Sequence, residues 1–254
     1  MIRLWIFILL ALTNQVCAQH VAGKVYYRQI LNLDPATSSN DKTGRRAILY
    51  FTDTLSYYVY NSVETGKADK PHENNEAANT YDIGTTDRTG EVFMTNFNTR
   101  HVFMREFVWK KPYLSIDTLV RINWKLIDRQ KRIGKFSCQQ AEALFRGRKY
   151  EVWFTTEVPV SAGPWKLQGL PGLILEAYDD KNEVHYLFDG IEIPDIKIFT
   201  LKIPSDGIMV PLATYRNLWK DETAKLKTFL EATAEKGTSI DVGINYFPIE
   251  KTYE

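Results

Sequence analysis

The chain has 254 residues, a formal net charge of +1 and an aromatic content of 13%. That length can bury a core without covalent staples. A near-neutral balance gives no global reason to seek nucleic acid, which needs a clustered basic face.

Residues 1–18 read as a secretory signal. Arg3 supplies the positive end, 4–12 is an unbroken apolar run, and Val16-Cys17-Ala18 offers small residues for cleavage after Ala18. The mature chain then starts at Gln19 and is formally neutral. A lipoprotein signal acylated on Cys17 is the rival, with Asn14-Gln15-Val16 as a poor lead-in. No later stretch approaches the ~18 consecutive apolar residues a membrane helix needs. The mature chain is therefore expected to have no transmembrane segment, and to be soluble or peripheral.

The elements then follow in order. Residues 25–30 open with a strand, and 47–51 and 55–60 flank Thr52-Asp53-Thr54 as a hairpin. A second pair, 91–97 and 100–109, breaks at Asn98-Thr99. Segment 119–128 alternates: Leu119, Arg121, Asn123 and Lys125 share one phase, and Val120, Ile122, Trp124 and Leu126 the other. One buried and one wet face is the antiparallel pattern.

Segment 135–146 is double-edged. Ala141-Glu142-Ala143-Leu144-Phe145 suits a helix, yet the turn residues Arg146-Gly147 before 150–154 suit a hairpin, and strand is preferred. Strands continue at 173–178, 184–193 and 197–203, with Asp179-Asp180-Lys181-Asn182 as a polar turn. Residues 211–236 carry Leu212, Tyr215, Leu218, Trp219, Leu226, Phe229 and Leu230 at three- and four-residue steps. Pro211 at its start and Gly237 past its end mark an amphipathic helix that covers a core. Residues 61–90 hold almost no large apolar side chain and read as a long exposed loop, with 35–44 as a second. The expectation is one mainly β domain over 19–254: a single curved antiparallel sheet or incomplete barrel, covered by the C-terminal helix.

Chemistry is sparse. The runs Arg129-Gln130-Lys131-Arg132 and Arg146-Gly147-Arg148-Lys149 fall at expected turns and read as solvated charge. His20, His72, His101 and His185 lack ligand spacing, so neither a metal nor a cofactor is expected. Chelation by His20 with the Gln19 amine would be lost once that glutamine cyclised. The glycines of 163–172 match neither the P-loop nor the dinucleotide fingerprint, and Ser161 lacks a nucleophile elbow. The pair Asp179-Asp180 reads as a solvated turn. Cys138, alone after cleavage, is read first as a small buried side chain, then as a redox thiol, and last as a nucleophile. Trp109, Trp124, Trp153 and Trp165 lie on or beside expected strands, as core or as a contact face.

The stretch Gly169-Leu170-Pro171-Gly172-Leu173-Ile174 resembles the signature of the GLPGLI family. Cys138-Gln139-Gln140-Ala141, Phe145-Arg146-Gly147-Arg148, Trp153-Phe154-Thr155, Pro159-Val160, Gly163-Pro164-Trp165-Lys166 and Asn245-Tyr246-Phe247-Pro248-Ile249-Glu250 follow that family's order. The resemblance implies an exported envelope protein of the Bacteroidota type with no established enzymatic activity. It carries over no catalytic residue. By analogy of fold alone it implies kinship with lipoprotein carriers, whose incomplete barrels hold lipid.

Two roles suit the loop 161–172. It is a corner that sets the register of the strand after it, or a rigid lip whose contacts are Trp165 and Leu170, with Leu167, Pro171 and Trp153 completing the candidate set. The leading expectation is a non-enzymatic periplasmic or outer-envelope protein that binds an apolar or lipid-like molecule, or an envelope partner, on a concave sheet. An enzyme using Cys138 or loop carboxylates is one alternative. A structural interaction module is the other.

Overall fold

The computed structural model describes residues 21–32, 44–62, 65, 87–108, 111–194, 202–233 and 249–252. The signal, the loop 35–44 apart from Gly44, residues 63–64 and 66–86 of the expected 61–90 loop, Trp109, the 197–201 part of an expected strand, helix residues 234–236 and the motif tail 245–248 lie outside them. Asn61, Ser62 and Thr65, at the start of the 61–90 stretch, are buried.

Six strands come first: β1 (Gly23–Leu31), β2 (Arg45–Phe51), β3 (Leu55–Tyr60), β4 (Glu91–Asn96), β5 (His101–Val108) and β6 (Lys111–Thr118). Five more follow: β7 (Lys125–Ile133), β8 (Phe136–Phe145), β9 (Arg148–Thr155), β10 (Leu173–Asp179) and β11 (Val184–Glu192). The two-residue β12 (Ile208–Met209) and the helix α1 (Leu212–Thr233) end the series.

All twelve strands form one curved, open sheet in the order β12-β6-β5-β4-β3-β2-β1-β11-β10-β9-β8-β7. β1 to β6 and β7 to β11 are each a meander of sequential antiparallel neighbours, β12 adds to β6 in parallel, and the two meanders join where β1 pairs antiparallel with β11 from Lys24↔Glu192 to Leu31↔Val184. Short loops between alternating segments favour this local pairing. The mainly β expectation holds, with α1 packed over β5 and β6.

Register sorts the side chains. Ala47, Tyr60 and Glu91 are successive cross-strand partners over β2 to β4, Glu106 and Tyr113 pair across β5 and β6, and Leu49, Tyr58, Phe93, Met104 and Ser115 form the adjacent same-face row. These rows line the concave side, where Tyr58, Phe93 and Met104 join a large core with Tyr186, Val152, Ala177 and Ala141. The convex side of the first half carries a smaller cluster of Ile48, Tyr50, Val59, Val92 and Met94.

Three local expectations need correction. Residues 119–124 are not strand: Leu119 and Ile122 are buried, and the segment carries the chain from β6 to β7. Residues 129–132 are not a turn but part of β7, which bulges between Ile127 and Gln130. Exposed Arg129 and Arg132 there suit an edge strand, which charge protects from unwanted pairing. Residues 202 and 203 lie outside any strand.

The turn expected at 146–149 does exist. Arg146 and Gly147 both have positive φ, 51° and 76°, as a two-residue hairpin loop requires. Its arginines, however, are not solvated. Arg146 pairs with Asp117 at 2.9 Å, and Arg148 pairs with Asp179 and Glu183 at 2.5 Å each. Asp179 is likewise buried rather than a wet turn residue.

Candidate functional site

The loop after β9 does not rim the sheet; it enters it. Leu173 donates its amide to the Val158 carbonyl at 3.0 Å, and Ile174 donates to Ala162 at 3.0 Å, so the loop folds back along the start of β10. Gly172 makes this possible, because a Cβ there would collide with the backbone carbonyl of Thr155. A turn closed by Leu167 N to Pro164 O at 3.1 Å then drives Trp165 into the concavity. Trp165 sits at φ 55°, a conformation that costs a bulky residue about 1–2 kcal/mol. Its ring meets Phe145 and Phe93 edge-on, with centroids at 5.8 and 6.4 Å, and that packing holds it.

Lys166 follows it inside and is 4% exposed. Its ammonium donates to Asp117 at 3.0 Å and to the Glu250 carboxylate, and Arg216 of α1 approaches Glu250 at 3.7 Å. Burial alone would raise the Asp117 carboxyl, but Lys166 and Arg146 together hold it below the ordinary range. Glu250 arrives on the C-terminal segment, which is tied down at several points. Lys251 and Thr252 donate their amides to Arg146 O, Arg148 donates to Ile249 O at 2.6 Å, and Lys251 pairs with Glu183 at 2.7 Å.

Between these parts lies a cavity of about 190 Å³. Its floor is the sheet, through Tyr60, Glu91, Phe93, Met104 and Glu106. Its sides are Trp165 and Lys166, its roof is Leu212, Tyr215, Arg216 and Trp219 of α1, and Ile249 and Glu250 close one end. Tyr60 and Phe93 stack at 6.3 Å, and Tyr215 tilts against Tyr113 at 6.4 Å.

One wall group is unusual. Glu91 and Glu106 lie one step beyond the last cross-strand pair, Val92↔Arg105, and their like charges oppose each other. Asn61 donates to Glu91 at 2.5 Å, whereas Glu106 makes no hydrogen bond or ion pair with a described residue. Burial pushes the Glu106 carboxyl up to about 8; Lys166 pulls it down, while Glu91, Glu250 and Asp117 push it further up. It is therefore largely protonated at neutral pH.

The candidate residues chosen from sequence do not gather in one place. Trp165 lines the cavity, and Leu167 is 1% exposed in the core beneath it. Leu170 and exposed Pro171 border a separate shallow groove with Trp124, whose indole donates to Gln168 O at 2.8 Å. Trp153 belongs to the opposite face of the sheet, under the Lys131 ammonium at 4.4 Å. Sequence reading missed Glu91, Glu106, Lys166, Tyr215, Arg216 and Glu250. The signal was there for Glu106, a charged residue in phase with Val102 and Met104 on a buried strand face.

Cys138 is 1% exposed, and burial pushes its thiol up to about 11, so it supplies no thiolate near neutral pH. Among the described residues no His, Cys, Asp or Glu group is arranged to hold a metal ion, and no helix is long and apolar enough to cross a membrane.

A family model described as "Protein of unknown function (Porph_ging)" matches residues 145–176. That span contains the Arg146 turn, β9, Trp165, Lys166 and the glycine–proline loop. No curated protein sequence matches the chain. Two solved structures of PNGF-II are similar in fold. One, in the P21 space group, has a TM-score of 0.55 and 15% identity over 80% of this chain and 34% of that one. The other, in C2, has a TM-score of 0.54 and 16% identity over 80% and 33%. The chain thus spans about a third of the PNGF-II chain it matches. At such identity the likeness concerns the sheet architecture alone. What this chain is similar to, then, is a family of unknown function over its central loop and a PNGF-II portion over its fold.

Proposed function

We propose that this is an exported, non-enzymatic binding protein of the cell envelope, and that its site is the cavity between α1 and the concave sheet. The observation that carries the reading is the cavity itself: an aromatic-walled space with a few convergent polar groups, the usual make-up of a small-molecule site. Its size admits one small amphipathic molecule or the end of a longer one, not a whole lipid. The buried thiol of Cys138 and the ion-paired Asp179 both count against a catalytic role for either. Export rests on the leader-like first 18 residues and on the GLPGLI resemblance.

Leu212→Trp tests the reading by filling the roof of the cavity. Native mass spectrometry of gently purified full-length protein is expected to show a small bound molecule, and the folded variant is expected to lack it. Equal occupancy in both, or no adduct in either, overturns the proposal.

A further inference from the structure

One charged group of the cavity stands apart. Glu91, Glu106 and Glu250 border the space together with Lys166 and Arg216, and Lys166 links it to Asp117 and Arg146. Arg45 also borders the space, but from an exposed position at its rim. Lys166 is engaged by Asp117 and Glu250, and Arg146 by Asp117, which leaves Glu106 as the carboxyl with no partner among the described residues. Tyr60, Tyr215 and Trp219 border the same space. Aromatic rings around an unpaired carboxylate form the environment that recognises organic ammonium ions.

We infer that the ligand of this cavity is a small organic monocation, an ammonium with an apolar body, whose charge is met by Glu106. The inference rests on the cavity reading above and names its ligand class. An anion would find the inner cations Lys166 and Arg216 already engaged by Asp117 and Glu250. A neutral molecule would leave Glu106 protonated and unused. Binding of the cation is an exchange: the Glu106 carboxyl gives up its proton to solvent, and the ammonium takes the proton's place beside the carboxylate. No covalent bond forms. The other groups near Glu106 are Arg45 on β2, Tyr60 on β3, Glu91 on β4, Tyr113 and Asp117 on β6, Lys166 on the loop, Arg216 on α1 and Glu250 on the C-terminal segment.

Calorimetry on the full chain tests this with choline and its neutral isostere 3,3-dimethyl-1-butanol. A quaternary ammonium has no proton of its own, so any proton released on binding comes from the protein. The expected result has three parts. Choline binds at least tenfold tighter than the alcohol. Binding at pH 7 releases close to one proton, seen by varying the buffer's ionisation heat, and affinity climbs about tenfold per pH unit below 8. Glu106→Gln, checked for native circular dichroism, loses both the preference and the proton. Equal binding of the two probes, or a preference that survives in Glu106→Gln, overturns the inference and leaves the cavity reading standing. Binding of neither probe at millimolar concentration overturns both.

Discussion

Lys166 and Asp117, 49 positions apart in the chain, meet at 3.0 Å inside the concavity of the sheet. Their contact fastens the inserted loop to β6, and through Glu250 it fastens the C-terminal segment as well. Truncating the lysine takes one of two cations from each of two carboxylates, leaving Asp117 with Arg146 alone and Glu250 with Arg216 at 3.7 Å. Lys166→Met should lower unfolding free energy by about 3–5 kcal/mol, read by urea titration. A loss under about 1 kcal/mol would mean the pair is effectively solvated.

Trp165→Ala should cost about 3–5 kcal/mol in the same assay, because the indole fills space between Phe93 and Phe145. An unchanged melting temperature would instead make Trp165 a contact side chain that packs nothing, and would return the loop to the rigid-lip role.

The two glycines flanking Leu170 and Pro171 should differ sharply. Gly172→Ala forces a Cβ into the Thr155 backbone, which cannot move aside, and is expected to prevent stable folding. A Cβ on Gly169 would meet only the Trp124 indole, at an ordinary contact distance of 3.6 Å, but its φ is 99°, so Gly169→Ala should cost only about 1–2 kcal/mol. Equal effects, compared by expression and thermal melting, would contradict the insertion of the loop.

Glu106 gives a pH signature with a definite sign. Its folded-state value of about 8 lies above the ~4.3 of an unfolded glutamate, so between these limits the folded state holds a proton that the unfolded chain has lost. Its contribution to stability is therefore full in acid and is lost as pH rises through that window, by at most about 1.4 kcal/mol per unit. Asp87, Asp117 and Glu183 are held low and act in the opposite sense, their contribution falling away only as pH drops below the usual carboxylate range. His185 is also lowered, chiefly by burial, and favours the folded state as pH rises past 6.5. Subtracting the stability curve of Glu106→Gln from wild type cancels these. A difference that is flat from pH 5 to 8 would contradict the assignment.

Cys138 should stay unlabelled by a thiol reagent at pH 8 in the native protein, reacting at least about 100-fold more slowly than a free cysteine and at normal speed once urea unfolds the chain. Prompt native labelling would reopen a nucleophilic role.

Much of the fold was legible in local pattern. Hairpins such as 47–60 and 136–155 declare themselves through alternation and turn residues, and neighbours in sequence are neighbours in the sheet. What local pattern does not carry is which loops go inside. Pro164-Trp165-Lys166 has the composition of a surface turn, and only the curvature of the sheet gives its lysine a buried partner. The same holds for Arg146 and Arg148: a basic hairpin looks solvated until Asp117 and Asp179, distant in sequence, come to meet it. The candidate site was illegible for the same reason, since its walls come from β3 to β5, the inserted loop, α1 and the C-terminal segment.

The most direct test is a crystal structure of the full-length protein purified without detergent. A bound molecule occupying the space bordered by Glu106, Trp165 and Tyr215, with the cationic end toward Glu106, is the predicted result. A collapsed space, with Trp219 or Tyr215 turned in to fill it and nothing bound, would contradict it.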